Sequence, residues 1–429
     1  MKRKFSSILM LASTALLLVA CAKNQTPTPT DQVAPEKTSS SNSQEPVKVP
    51  LTLWHYYTSE ATQNALTKLI DDYNASGGKA QVKQQLIPRD ELMKKYTLGI
   101  TTGDLPDLAV IDNPDSAAYS AMGLFTDLTE QFNATDHNQF QEGPLATGTY
   151  QDKIYTLPFR YNALAVWVNT EMFEAAGIDT MPTTWTEFLE TCKKLKDRNP
   201  GVYPFAFAAA KSEEGTFQFI PFLYSAGGSL DDMASEGSVQ ALTNIKTLVN
   251  TGYASNEVIN WAQGDVEKQF AAGNAAMMLN GSWQIPNLAT DAPDLKYQII
   301  SLPTDGTNAS CMGGENIGIT TSCDNMEAAW DFLTYATSKE ISIAFNSSIG
   351  TISPRSDVTA EEQYPDNDAM QVFAQQMAYA IARGPSPKWS EISENIQIAI
   401  QAVLIDAETP AQAGSAAAKK IGEINATLK

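Results

Sequence analysis

Apolar positions near residue 50 begin a regular alternation of periods. Leu51-Thr52-Leu53-Trp54 is a short β-prone run; Leu66, Leu69, Ile70 and Tyr73 then recur at helical spacing, and Gly77-Gly78 ends that helix. A strand-like segment at 82–87, a helical pattern over 91–100 and an apolar run at 108–111 complete a β-α-β-α-β series. Such a series predicts a mainly parallel sheet covered by helices, one α/β lobe. Past Tyr155-Thr156-Leu157-Pro158, a β-prone run at 163–168 leads to Pro182-Thr183-Thr184-Trp185. Thr184 and Glu187 have capping-box spacing, and Trp185, Phe188, Leu189, Cys192 and Leu195 share the apolar face of the helix they open. Cys192 therefore reads as core rather than as a reactive thiol. Helical patterns at 239–249 and 266–272 with a strand-like run at 275–279 predict a second α/β lobe. Beyond it, 317–320 reads as a strand, 328–336 and 392–406 as helices, and Thr409-Pro410 as N-cap and first residue of a last helix. No repeat of fixed period occurs, and element order alone does not assign the late segments to either lobe.

The N-terminus follows another pattern. Lys2, Arg3 and Lys4 precede an apolar run from Ile8 to Ala20, an export signal too short for the roughly 20 apolar residues of a membrane span. The run ends in Leu18-Val19-Ala20-Cys21, which resembles the lipobox of bacterial lipoproteins; the resemblance implies a signal peptide over 1–20 and lipidation of Cys21. Up to Pro50 there is no aromatic residue after Cys21, and prolines alternate with Ser, Thr, Asn and Gln. That composition cannot bury a core, so 21–50 is expected to be a flexible tether.

Composition narrows the function. A chain of 429 residues with 43% hydrophobic positions can bury the core of two or more packed units. The 29 Lys plus Arg against 49 Asp plus Glu give a formal charge of −20, which repels nucleic-acid phosphates. Cys21, Cys192, Cys311 and Cys323 are too few for a disulfide scaffold and form no C-x-x-C pair; Cys311 and Cys323 could pair or stay apart.

Candidate chemistry is sparse. His55 and His137 are the two histidines, and no H-E-x-x-H, G-x-S-x-G, Walker A, G-x-G-x-x-G or EF-hand pattern occurs. Gly313-Gly314-Glu315-Asn316-Ile317-Gly318 is glycine-rich but has the wrong spacing, and it precedes a strand where a phosphate loop would open a helix. No cofactor or metal is expected. Carboxylates are abundant enough to supply a glycosidase pair, whose separation no sequence spacing can establish. Aromatic residues instead stand beside turn residues where strands end: Trp54-His55-Tyr56-Tyr57, Asn280-Gly281-Ser282-Trp283, and Gly384-Pro385-Ser386-Pro387-Lys388-Trp389. A flat aromatic face covers the C–H face of a sugar while neighbouring polar groups satisfy its hydroxyls. Each of these tryptophans could equally be core.

These segments, with Gly103-Asp104-Leu105-Pro106-Asp107-Leu108, Asp152-Lys153-Ile154-Tyr155-Thr156-Leu157-Pro158-Phe159, Trp167-Val168-Asn169 and Phe270-Ala271-Ala272-Gly273-Asn274-Ala275-Ala276-Met277, resemble the extracellular solute-binding proteins of bacterial carbohydrate ABC transporters, in the group that includes maltodextrin-binding protein. The likeness spans nearly all of 51–429. It implies an α/β, two-lobed periplasmic-binding-protein-like fold with a hinged ligand cleft, one lobe from 51–160 and 311–360, the other from 161–310 and 361–429. It places a stacking aromatic at Trp283 and a second at Trp389. Asp112 and Asn113 end the 108–111 strand, where α/β sheets commonly bind ligands. Arg160 and Tyr161 fall at the lobe crossing, and Glu315 and Arg355 near the later return; hinge packing or an ion pair would explain each as well. Trp54, Tyr57 and Glu60 complete the candidate ligand set, although Glu60 could simply favour a helix N-terminus, and His55 reads as a structural histidine. The implied protein is a monomeric carbohydrate receptor, lipid-anchored through Cys21 to the outer face of the bacterial cytoplasmic membrane, which delivers sugar to an ABC permease and catalyses no reaction. Two alternatives stay open: a secreted carbohydrate-active enzyme, and a receptor for a non-sugar solute such as a polyamine, which needs carboxylates converging with aromatics.

Overall fold

The computed structural model describes residues 48–135, 139–304 and 306–428. The signal peptide, Cys21, the tether up to residue 47 and His137 lie outside the described residues. Among the described residues, the first strand is Val49–His55, which begins inside the expected tether. Leu51, Leu53 and His55 alternate as buried positions, and the strand pairs in parallel with Ala80–Leu86 from Val49↔Ala80 onward. Only Leu53 and Trp54 pair with the strand on the other side, so the missing N–H of Pro50 breaks no bond there.

The five-stranded sheet of the first lobe has the order Ala80–Leu86, Val49–His55, Leu108–Asp112, Gly313–Ile319, Thr156–Asn162. Its first three strands are parallel, joined by helices Glu60–Ala75 and Arg89–Thr102, and Gly313–Ile319 runs antiparallel to both its neighbours. The glycine-rich 313–318 segment is thus itself strand, not a loop ahead of one. A Cβ on Gly313 would meet Phe217 Cζ at 2.8 Å, and Gly314 has φ +128° with the carbonyl of Arg160 where its Cβ would be. Close approach of the Phe217 side chain explains the first glycine and that of the neighbouring strand's backbone the second.

The second lobe holds a four-stranded sheet in the order Tyr297–Ile300, Leu164–Asn169, Ala275–Gly281, Tyr203–Ala206. Every residue of its two central strands is buried, because helices cover both faces. The chain crosses between the sheets at Ala163, returns between Ile300 and Gly313, and passes again after Ser348; Ser310–Cys311 pairs with Ala380–Ile381 in a small parallel ribbon. Helices Met326–Ala336 and Lys339–Ser348 pack on helix Glu60–Ala75 of the first lobe. Asp368–Met377 packs on the second sheet, and Trp389–Leu404 and Pro410–Ala426 on helix Glu236–Asn250. Thr184 caps helix Trp185–Arg198, with the Glu187 side chain returning to the Thr184 N–H at 3.2 Å. Cys192 lies in the second lobe's core, and burial pushes its thiol pKa up. Cys311 and Cys323 are free thiols. Among the described residues no helix is long and apolar enough to cross a membrane.

His55 is 2% exposed, and its Nδ1 accepts the Tyr57 N–H at 3.2 Å. Burial lowers its pKa from 6.5 to about 4, against the raising effect of Gln84. The folded chain therefore prefers the neutral ring. This preference costs nothing above pH 6.5 and removes stability as the pH falls from 6.5 towards 4, by up to about 3 kcal/mol. Relative to His55→Gln, the wild type is expected to lose unfolding free energy across that interval; parallel profiles from pH 8 to 4 would show that His55 is not the titrating group.

Candidate functional site

Strand ends assemble one wall. In parallel strands the C-terminal edge is common to Val49–His55 and Leu108–Asp112, so Tyr56, Tyr57, Asp112 and Asn113 emerge on the same side. Asp112 precedes helix Asn113–Met122, whose first turn carries Asp115. Arg89, opening helix Arg89–Thr102, donates from Nη2 to Asp115 at 2.5 Å and to Asp112 at 3.4 Å. On the antiparallel neighbour, Glu315 stands opposite both Asp112 and Arg160, and the strand register shifts directly after it. Arg160 grips both oxygens of Glu315 through Nε and Nη2, in the bidentate geometry that suits guanidinium and carboxylate. Its guanidinium lies 4.7 Å from the Tyr57 ring centroid, and Tyr56 Oη donates to Glu315 at 3.1 Å. Burial, reinforced by the Glu315 charge, holds the Tyr56 and Tyr57 phenols well above their ordinary pKa. They stay protonated donors at neutral pH.

The facing wall belongs to the second lobe. Glu213 and Glu214 sit in the first turn of helix Glu213–Ser225, where the helix dipole favours negative charge. Glu213 accepts from Arg383 Nη1 at 2.8 Å, Trp389 Nε1 at 3.0 Å and Ser393 Oγ at 2.5 Å. Burial raises the Glu214 pKa, opposed by the Gln263 N–H it accepts at 2.6 Å. Arg383 lies over Phe217 at 4.5 Å, and Phe217 meets the Trp283 ring at 6.1 Å. Trp283, at the N-cap position of helix Gln284–Asp291, folds back so that its six-membered ring covers the space a Cβ on Gly281 would fill. The walls join where Arg383 reaches Asp112, Nη2 to Oδ1 at 3.1 Å. Buried polar atoms without a protein partner gather along these walls: Tyr57 Oη, Asn113 Oδ1, Asn162 Oδ1, Gln263 Nε2 and Arg383 Nε.

The structure thus brings together Tyr57, Asp112, Asn113, Arg160 and Glu315 on one side and Trp283 on the other. Trp389 joins them differently from expectation. Its ring is 2% exposed in the second lobe's core, which leaves no face for stacking, and only its N–H reaches the network through Glu213. Trp54 stacks on Tyr96 at 6.2 Å with the Lys95 ammonium 5.7 Å from its ring. Glu60 is exposed in the first turn of its helix. Tyr161 pairs through its backbone with Ile352, and burial raises its phenol to about 12. Arg355 is tied to Asp357 at 2.7 and 2.9 Å and to the Thr337 carbonyl at 2.8 Å, groups outside the network. Sequence reasoning missed Tyr56, Arg89, Asp115, Glu213, Phe217 and Arg383. Arg383 directly precedes the Gly384-Pro385 turn singled out for its aromatic, the one local hint of it.

A model of the bacterial extracellular solute-binding proteins matches residues 68–372. A solute-binding protein of an ABC transporter from Thermotoga lettingae, solved with α-D-tagatose, is similar at 27% identity and TM-score 0.80, covering 88% of this chain and 100% of that one. The diacetylchitobiose binding protein of Streptomyces coelicolor is 24% identical over 84% of this chain and 85% of its own length. The multiple sugar-binding protein of Streptococcus mutans is 22% identical over 78% of each. The fold is the two-lobed α/β fold of periplasmic binding proteins. With the family model matching well over half of its length, the chain belongs to the bacterial extracellular solute-binding proteins.

Proposed function

We propose that this protein is a lipid-anchored carbohydrate receptor, which binds a sugar or oligosaccharide between its lobes and delivers it to the permease of an ABC importer, with no reaction of its own. One observation carries the reading: the half-buried Trp283 ring on one wall is accompanied, along the two walls, by buried hydroxyl and amide atoms without a hydrogen-bond partner, Tyr57 Oη, Asn113 Oδ1 and Asn162 Oδ1. That combination suits a neutral ligand with an apolar ring face and many hydroxyls. Asp112, Asp115, Glu213 and Glu315 each already accept from an arginine, which leaves them poorly placed to neutralise a polyamine. The tagatose-bound relative and the sugar-binding names of the others support the reading. The hinge between 51–160 with 311–360 and 161–310 with 361–429 would close the cleft around ligand.

Titrating protein that lacks residues 1–21 with mono- and oligosaccharides, while following tryptophan fluorescence and assaying for cleavage, tests it. Saturable binding of intact sugar is expected. Cleavage would replace the receptor by an enzyme, and silence across the panel would point to another solute. In cells, Cys21→Ala is expected to move the protein from the membrane to the soluble fraction; retention would remove the lipid anchor.

A further inference from the structure

Among the described residues, the buried acidic and arginine side chains differ in their partners. Asp115, Glu315, Arg355 and Arg383 each form an ion pair. Glu267 forms none. It is 3% exposed in helix Gln263–Ala271, and its Oε1 has no hydrogen-bond partner in the protein. An unpaired buried carboxylate is costly, and taking up a proton removes most of that cost. Burial accordingly raises the Glu267 pKa from 4.5 to about 7, with Asp291 adding to the rise and Lys268 opposing it. On its own helix, Asp265 is engaged in accepting the Ala262 N–H at 3.0 Å. The helix packs on strand Ala275–Gly281, which has no ionisable side chain, on strand Tyr203–Ala206, whose one such group is the Tyr203 phenol, and on helix Gln284–Asp291. Asp291 ends that helix, where the dipole already disfavours negative charge, and the exposed Asp294 and Lys296 follow in the loop beyond it. The same helix starts directly after Trp283. Its first residue, Gln284, donates to the Gln263 carbonyl at 3.4 Å and Asn280 to the same carbonyl at 2.9 Å, so the two helices are tied together next to Trp283. Val266, Phe270 and Leu288 share one apolar cluster and join them further along.

We propose that Glu267 is a proton-linked switch for the Trp283 wall of the cleft: in its neutral form it lets helix Gln284–Asp291 seat against helix Gln263–Ala271, and its ionisation, facing Asp291, loosens that seat and moves the Trp283 ring. That this movement regulates ligand binding rests on the receptor reading above. The movement itself does not.

Tryptophan emission of the purified protein between about pH 5 and pH 9 tests it, with Trp283 isolated as the difference between each protein and its Trp283→Phe counterpart. The wild-type difference is expected to titrate with a midpoint near the Glu267 pKa of about 7. Glu267→Gln, nearly isosteric with the protonated acid, is expected to stay flat at the wild-type low-pH value, and Asp291→Asn, an exposed change, to move the midpoint lower. Urea unfolding gives a second readout. The folded chain prefers the neutral acid, so relative to Glu267→Gln the wild-type folding equilibrium constant falls as the pH rises from 4.5 towards 7, by up to about 300-fold, and runs parallel beyond. Asp115, whose pKa burial also raises, is present in every variant and cancels in the comparison. Circular dichroism identifies the folded variants. A flat wild-type difference, a titration that survives unchanged in folded Glu267→Gln, or parallel unfolding profiles throughout overturn the proposal. Where Glu267→Gln does not fold, an unchanged midpoint in Asp291→Asn overturns it. If sugar binding fails but the titration appears, the receptor reading falls and the switch stands.

Discussion

Glu213→Ala is expected to lose about 3 to 5 kcal/mol of unfolding free energy, the range for removing one partner of a buried charge pair. Its carboxylate is 11% exposed and takes three donors from three places in the chain: Arg383, Trp389 and Ser393. Removing it leaves the indole N–H without its acceptor and Arg383 with Asp112 as its one remaining carboxylate, while the Ser393 hydroxyl can turn to Thr216 Oγ1 at 2.8 Å. Buried donors left in this way retain their desolvation cost with nothing to offset it. Urea unfolding would show the loss as a lower midpoint at unchanged slope. Glu213→Gln keeps an acceptor oxygen and is expected to lose less. A midpoint for Glu213→Ala within experimental error of wild type would mean that apolar packing alone holds helix Glu213–Ser225 against Trp389–Leu404.

Gly281→Ala is expected to weaken ligand binding nearly as much as Trp283→Ala, although it leaves the tryptophan in the chain. Trp283→Ala should cost about 1 to 3 kcal/mol of affinity if the ring covers a sugar face in a desolvated pocket. The Trp283 indole occupies the space that an alanine Cβ at 281 needs, so the added methyl forces the ring out of its place. The backbone at Gly281 is not in the left-handed region, so rotation of the indole is the predicted response. The double variant separates this from general damage: Gly281→Ala combined with Trp283→Ala should bind no worse than Trp283→Ala alone. Titration of all three with the sugar that saturates wild type measures it. Wild-type affinity in Gly281→Ala would show that this pose of Trp283 is not used in binding.

Much of the architecture was legible because local physics writes it locally. Leu66, Leu69, Ile70 and Tyr73 are the buried stripe of helix Glu60–Ala75, and the Thr184 capping box opens its helix. The first three parallel strands and the helices between them followed from the change of period alone. Helix Asn113–Met122 escaped because it is buried on nearly every side and shows no stripe, and Pro221 disguises helix Glu213–Ser225. Gly313-Gly314 was placed ahead of the strand rather than in it because glycine's local signal is a turn, whereas here the two glycines admit the Phe217 ring and the Arg160 carbonyl.

The sequence by itself determined the α/β class, the two sheets' main strands, the acidic charge and the aromatic residues at strand ends, since each depends on composition or on spacings within a few turns. Only the tertiary structure decided which of these face one another. Arg383 meets Asp112 across 271 positions and Trp389 meets Glu213 across 176, distances at which no spacing rule constrains a pair. Whether a tryptophan is wall or core turned on the same thing: Trp283 and Trp389 both follow turns, and the helices packed around Trp389 bury it while the missing side chain of Gly281 leaves room for Trp283 to fold over the strand.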